Sequence, residues 1–158
     1  MVAPLIFLDI DGVICCNRQG QLQELQLAQL SRMCQATGAK VVLSSDWRRV
    51  RRLKEIVQQA LKRHGISYVG CTAQRICCED IGNKRYEHPC RALEITDWLR
   101  KFRGGVDACT WVAVDDRDLN REVGGEEMAG HLLHTTFDTG LTCALADDGI
   151  RILGESRS

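Results

Sequence analysis

Leu5-Ile6-Phe7-Leu8-Asp9-Ile10-Asp11-Gly12 is the stretch on which the fold turns. A short, unbroken apolar run after Pro4 is the pattern of a strand buried on both faces, as in a parallel sheet with helices on either side. Such a run does not tolerate carboxylates in its middle, and here Asp9 and Asp11 arrive only where it stops. In an open parallel sheet, ligands bind beyond the carboxyl ends of the strands. Residues 5–12 therefore predict both a central strand and a functional edge.

Downstream, strand and helix patterns alternate. Leu22, Leu25, Leu27, Leu30 and Cys34 recur at helical spacing and predict a helix over 21–37 that Gly38 stops. Lys40 to Leu43 reads as a second buried strand, and Arg48 to His64 as a second helix ended by Gly65. Ser67 to Val69 suits a short third strand, Arg91 to Phe102 a helix, Thr110 to Val114 a fourth strand and His131 to Thr136 a fifth, before a last helix near Leu141. This order predicts an α/β fold, a Rossmann-like three-layer sandwich around a mainly parallel five-stranded sheet. The 158 residues suit one domain over 1–158.

Composition narrows the function classes. Lys and Arg number 21 and Asp and Glu 21, so no field of the whole molecule draws it to nucleic acid or membrane, and any steering is local. The apolar opening lacks the basic flank and cleavage site of a signal peptide, and no later run is long enough to span a bilayer. Nine cysteines, an odd number with neighbours at Cys15–Cys16 and Cys77–Cys78, suit reduced thiols and a cytoplasmic location. Cys71, Cys77, Cys78, His88 and Cys90 offer zinc-type donors, but their spacing fits no C-x₂-C knuckle, and small buried thiols are the expected reading.

The strand ends carry the chemistry. The first ends in Asp9 and Asp11, the second in Ser44-Ser45-Asp46, the fourth in Asp115-Asp116. Carboxylates gathered that closely repel one another unless a cation neutralises them, and a hard ion such as Mg²⁺, which also takes phosphate oxygens, suits them. Asp9 is the candidate nucleophile, able to form an aspartyl-phosphate. Asp11 is the candidate general acid and base, with its backbone carbonyl available to the metal. Asp9, Asp11, Asp116 and Asp115 make up the metal-site candidates. Asp116 is expected to touch Mg²⁺ directly and Asp115 to act through a water or to orient the cation, with Asp118 behind them.

Ser44 suits a hydroxyl donor to a phosphoryl oxygen, and Arg91 the fixed cation that balances charge spread over those oxygens. Lys84 and Arg85 are the alternatives for that cation. Gly12, Ser45, Trp47 and Arg48 are the candidate substrate contacts. Gly12 permits a sharp turn, Ser45 stands at a helix start, Trp47 could stack on a base, and Arg48 opens the basic run Arg48, Arg49, Arg51, Arg52, Lys54 on which a polyanion could dock.

Taken in order, Asp9-x-Asp11-Gly12, Ser44, Arg91 and Asp115-Asp116 resemble the four motifs of the haloacid dehalogenase (HAD) superfamily. Phe7-Leu-Asp-Ile-Asp-Gly-Val, Leu43-Ser-Ser-Asp-Trp-Arg, Glu94-Ile-Thr-Asp-Trp-Leu and Gly140-Leu-Thr are similar to the HAD domain of Swiss Army Knife RNA-repair proteins. Asp115-Asp-Arg117 resembles the phosphatase half of phage polynucleotide kinase. The resemblance implies a Mg²⁺-dependent phosphatase working through an aspartyl-phosphate, although the third motif is usually Lys and here falls on Arg. Neither interval between motifs has room for a cap domain, so a capless core with an open site is expected. Such a site admits a phosphorylated nucleic-acid end. A small phosphomonoester, a phosphoprotein and a role as a non-catalytic binding module are the other readings.

Overall fold

The computed structural model describes residues 2–155. β1 (Leu5–Leu8) lies at the centre of a five-stranded sheet, flanked by β2 (Lys40–Leu43) and then β3 (Tyr68–Cys71) on one side, and by β6 (Trp111–Asp115) and β7 (Leu132–His134) on the other. Every pairing is parallel, so the sheet is wholly rather than mainly parallel. Leu8 stands opposite Leu43 on β2 and Val114 on β6, which brings the three strand ends to one level.

All four β1 side chains are buried, and alternation sends them into two different cores. Ile6 and Leu8 pack with α1 (Glu24–Thr37), α2 (Arg51–Arg63) and α4 (Cys143–Gly154), through Leu27, Leu30, Val57, Leu61, Ala146 and Leu153. Leu5 and Phe7 pack with α3 (Arg91–Arg103) through Ile95, Trp98 and Leu99. Phe7 meets Trp98 and Trp111 edge-on, with ring centroids 5.7 and 5.8 Å away. Three layers result, as the alternation of patterns predicts.

Two elements differ from expectation. The helix expected from Arg48 breaks into a 3₁₀ turn at Asp46–Arg49 followed by α2, because Arg48 is drawn inward rather than onto an exposed face. Between β3 and α3 the chain forms an antiparallel hairpin of β4 (Cys77–Ile81) and β5 (Lys84–His88), where a loop was expected. Gly82 takes φ +63° in its two-residue turn. The hairpin occupies the interval between the second and third motifs. No helix among the described residues is long and apolar enough to cross a membrane.

Candidate active site

Past Leu8 the chain makes a tight turn in which the amides of Val13, Ile14 and Cys15 all donate to the Ile10 carbonyl. Gly12 holds φ +76°, a conformation that disfavours a side chain. Space forbids one too, because a Cβ there would lie 2.4 Å from Asp116 Oδ2. Gly12 thus lets the loop after β6 approach the loop after β1. Thr135, just past β7, donates its hydroxyl to the Gly12 carbonyl at 2.6 Å and its amide to the Asp115 carbonyl, tying the three loops together.

Asp9, Asp115 and Asp116 converge here, each offering a carboxylate oxygen within 4.8 Å of the others. Asp9 and Asp115 are buried, and Asp116 is partly so. Arg91, buried at the start of α3, reaches in with Nη1 2.8 Å from Asp115 Oδ2 and 3.4 Å from Asp9 Oδ2. Its Nη2 lies 3.8 Å from Asp46. One guanidinium does not neutralise three carboxylates of which two are buried. Burial, and then Asp115, push the Asp9 carboxyl up to about 8 against the opposing pull of Arg91. Burial and Asp115 raise Asp116 as well. Burial works against the Arg91 charge, yet Asp9 and Asp115 outweigh it and hold the guanidinium above its ordinary range.

This cluster fits a divalent cation, since buried carboxylates short of positive charge are the donor set of a hard ion. Both Asp115 oxygens are already engaged, Oδ2 by Arg91 and Oδ1 by the amide of Arg117. Asp9 and Asp116 are the less committed members. Asp11 stands outside the cluster, exposed at the turn, and its Oδ2 accepts a hydrogen bond from the Trp47 indole at 3.0 Å.

At the end of β2, Ser44 is buried and its hydroxyl has no hydrogen-bond partner. Ser45 caps the 3₁₀ turn, its hydroxyl oxygen accepting from the Trp47 amide at 3.2 Å, and is thereby committed locally. Trp47 is only 8% exposed, packed in the larger core, and shows no open ring face on which a base could stack. Arg48 likewise does not face solvent. Its guanidinium donates to the carbonyls of Ser44, Ser45 and Thr72 and to Glu94 Oε2 at 2.9 Å. It braces the second motif and takes no part in a basic surface. Arg51 and Arg52 are exposed, and Arg51 pairs with Glu55.

Other candidates fall elsewhere. Lys84 and Arg85 are exposed on β5, Arg85 against Cys78, so Arg91 is the cation at the strand ends. Asp118 pairs with Arg121 rather than facing the cluster. Among the described residues the side chains gathered closely enough to hold a metal are the acidic triad, and those of the cysteine and histidine segment are not so gathered. Cys90 donates instead to the Arg75 carbonyl, and burial followed by Cys77 pushes its thiol up to about 11. The sequence gives no role to Thr135, and although Asp46 ends the second strand and Glu94 lies in a motif, it gives neither of them a partner. Glu94 had a signal: an acid three residues after Arg91, on the helix that also carries Ile95 and Trp98, needs a buried partner.

A polar cleft of about 340 Å³ leads outward from Arg91 between Asp46 and Arg49 on one side and Gln74, Arg75 and His88 on the other, with Arg117 also on its wall. The base of the hairpin forms part of it.

The family described as the HAD domain in Swiss Army Knife RNA repair proteins matches residues 5–146, which span every strand and loop of this site. No curated protein and no solved structure matches the chain.

Proposed function

Since the chain belongs to the family of HAD domains in Swiss Army Knife RNA repair proteins, we propose that it is a phosphoric monoester hydrolase with Asp9 as nucleophile. The observation that carries this reading is the triad of Asp9, Asp115 and Asp116, the first two buried and the third partly so, with Arg91 set against it. A lone acid at a strand end serves as a cap or turn former, whereas three acids gathered around one guanidinium, two of them buried, are costly unless they perform a task.

Asp9 and Asp116 would hold Mg²⁺, with the Asp11 carbonyl as a further ligand. When bound, the ion supplies positive charge to the carboxylates and to the phosphoryl oxygens. Arg91, fixed by Asp115, and the unpartnered hydroxyl of Ser44 bind those oxygens and orient phosphorus toward Asp9. An Asp9 oxygen attacks phosphorus, a new O–P bond forms, and the bond to the leaving oxygen breaks as Asp11 donates a proton to it. Asp11 then takes a proton from water, which attacks the aspartyl-phosphate, releasing phosphate and restoring Asp9.

For the substrate we favour the phosphorylated end of an RNA or DNA strand. The site lacks a large cap, and Arg51 and Arg52 occupy the first turn of α2, which holds no acid and where a helix dipole disfavours cations, Glu55 one turn on pairing with Arg51 alone of the two. That unfavourable placement is accounted for if the residues meet phosphates. The second reading is a small phosphomonoester, favoured by the size of the polar cleft, which falls in the range of small-molecule sites. Turnover with Mg²⁺ on 3′-phosphorylated oligonucleotides, nucleotides, sugar phosphates and phosphopeptides decides between them. The largest kcat/KM is expected on the oligonucleotide, falling with added salt and with Arg51→Ala and Arg52→Ala combined. A larger value on a sugar phosphate or nucleotide, indifferent to that double substitution, overturns the nucleic-acid assignment. No phosphate release from any of them overturns the enzyme reading.

A further inference from the structure

We propose that Trp47 is a positioning residue for proton transfer: its indole N–H holds Asp11 by Oδ2 and so assigns the transferred proton to Oδ1. The inference rests on the acid–base role given to Asp11 above. Asp11 is exposed just beyond β1, where its side chain has, besides Trp47, the thiol of Cys15, a weak donor. Trp47 is the reverse, a ring buried in the core, with its amide bound to Ser45 and its carbonyl to the amide of Val50. The next residue, Arg48, is clamped by three carbonyls and Glu94, so the 3₁₀ turn carrying the indole is held from both ends. The 3.0 Å bond therefore ties an exposed carboxylate to a rigid donor.

The type of donor matters. An indole N–H donates and cannot accept. It bonds the ionised carboxylate, and it equally bonds the carbonyl oxygen of the protonated acid, leaving the O–H on the other oxygen. A hydroxyl or imidazole in its place could accept the acid's proton and divert it from the leaving group. Trp47 thus suits both halves of the cycle, in which Asp11 gives a proton and later regains one. It touches neither phosphorus nor a metal-binding atom and acts only through the Asp11 carboxylate.

Trp47→Phe removes the donor and keeps most of the ring. With Mg²⁺ present, kcat/KM is measured on 4-nitrophenyl phosphate, whose leaving group departs without a proton, and on glycerol phosphate, whose alkoxide needs one. General acid catalysis contributes about 10²–10⁴-fold, and loss of aim should forfeit part of it, about tenfold or more on glycerol phosphate and much less on the aryl ester. In an Asp11→Asn background Trp47→Phe should change neither value. Equal losses on both substrates, a further loss in that background, or no loss on glycerol phosphate overturns the inference. Should Trp47→Phe fold poorly, benzothienylalanine at position 47 replaces N–H by sulfur in an otherwise equivalent ring and is judged by the same outcomes. If Asp11→Asn alone leaves glycerol phosphate turnover intact, the acid–base reading falls first, and this inference falls with it.

Discussion

Arg48 and Glu94, 46 positions apart in the chain, meet at 2.9 Å with both side chains almost wholly buried. Glu94 Oε2 also accepts the Arg75 amide, and Arg48 spans three carbonyls, so the pair joins the second motif, the loop after β3 and α3. Removing one partner strands a buried charge, which costs about 3–5 kcal/mol. Arg48→Ala is accordingly expected to lower the melting temperature by roughly 10 °C, at about 2–4 °C per kcal/mol for a chain of this size. The exposed pair Arg51→Ala and Arg52→Ala should stay within about 0.5 kcal/mol of wild type. Thermal melts of both variants are the check. An Arg48→Ala protein as stable as the double variant would mean that the buried pair contributes nothing net.

Asp9→Asn should abolish turnover, since an amide cannot form the aspartyl-phosphate, and should stabilise the metal-free protein at alkaline pH. In the folded protein Asp9 holds its proton up to about 8, against an ordinary value of 3.8. The folded state thus binds that proton more tightly than the unfolded one, and stability is lost as pH rises from about 4 to 8. Melts in chelator across that range should fall with pH for wild type and fall less for Asp9→Asn. A steeper decline in the variant would place the strain elsewhere.

Mg²⁺ should raise the melting temperature more at pH 8 than at pH 5, because it binds the ionised carboxylates that protons occupy at the lower pH. Chelation should end turnover, and Ca²⁺ should compete without supporting it, given its larger and looser coordination shell. Asp116→Ala should weaken the apparent Mg²⁺ affinity more than Asp115→Asn does, since both Asp115 oxygens already serve Arg91 and the Arg117 amide. Titrations of activity and of melting temperature report this order, and its reversal would exchange the two roles.

Much of the site was legible because the sheet is parallel and buried on both faces. An apolar run that stops at an acid marks a strand end, and strand ends meet at one edge, so Asp9, Ser44, Asp115 and Asp116 are found from local pattern alone. Arg91 followed from its place at a helix start. What was illegible depends on distant partners. Nothing near Arg48 says that Glu94 will bury it, and within a run of basic residues it reads as surface. Trp47 reads from the sequence as core packing or as a ring that could stack on a base, and neither reading shows its link to Asp11, which crosses from one strand end to another. The hairpin escaped notice because residues 77–88 are largely exposed and lack alternation, although Gly82-Asn83 between two short runs is a hairpin turn signal.

Phe7 gives the edge that carries Asp9 a measure of depth. With apolar side chains on both faces, a one-residue slip of β1 would expose nothing, so the usual penalty for misregistration is missing. Shape replaces it: the ring fits edge-on between Trp98 and Trp111 in one layer, and the opposite layer has been built around Ile6 and Leu8. A slip would carry Asp9 about 3.3 Å along the strand axis, several times the error that proximity effects tolerate. An aromatic key two residues upstream therefore serves as the ruler for Asp9, the proposed nucleophile, and anyone wishing to move that carboxylate would have to recut the core before touching the loop.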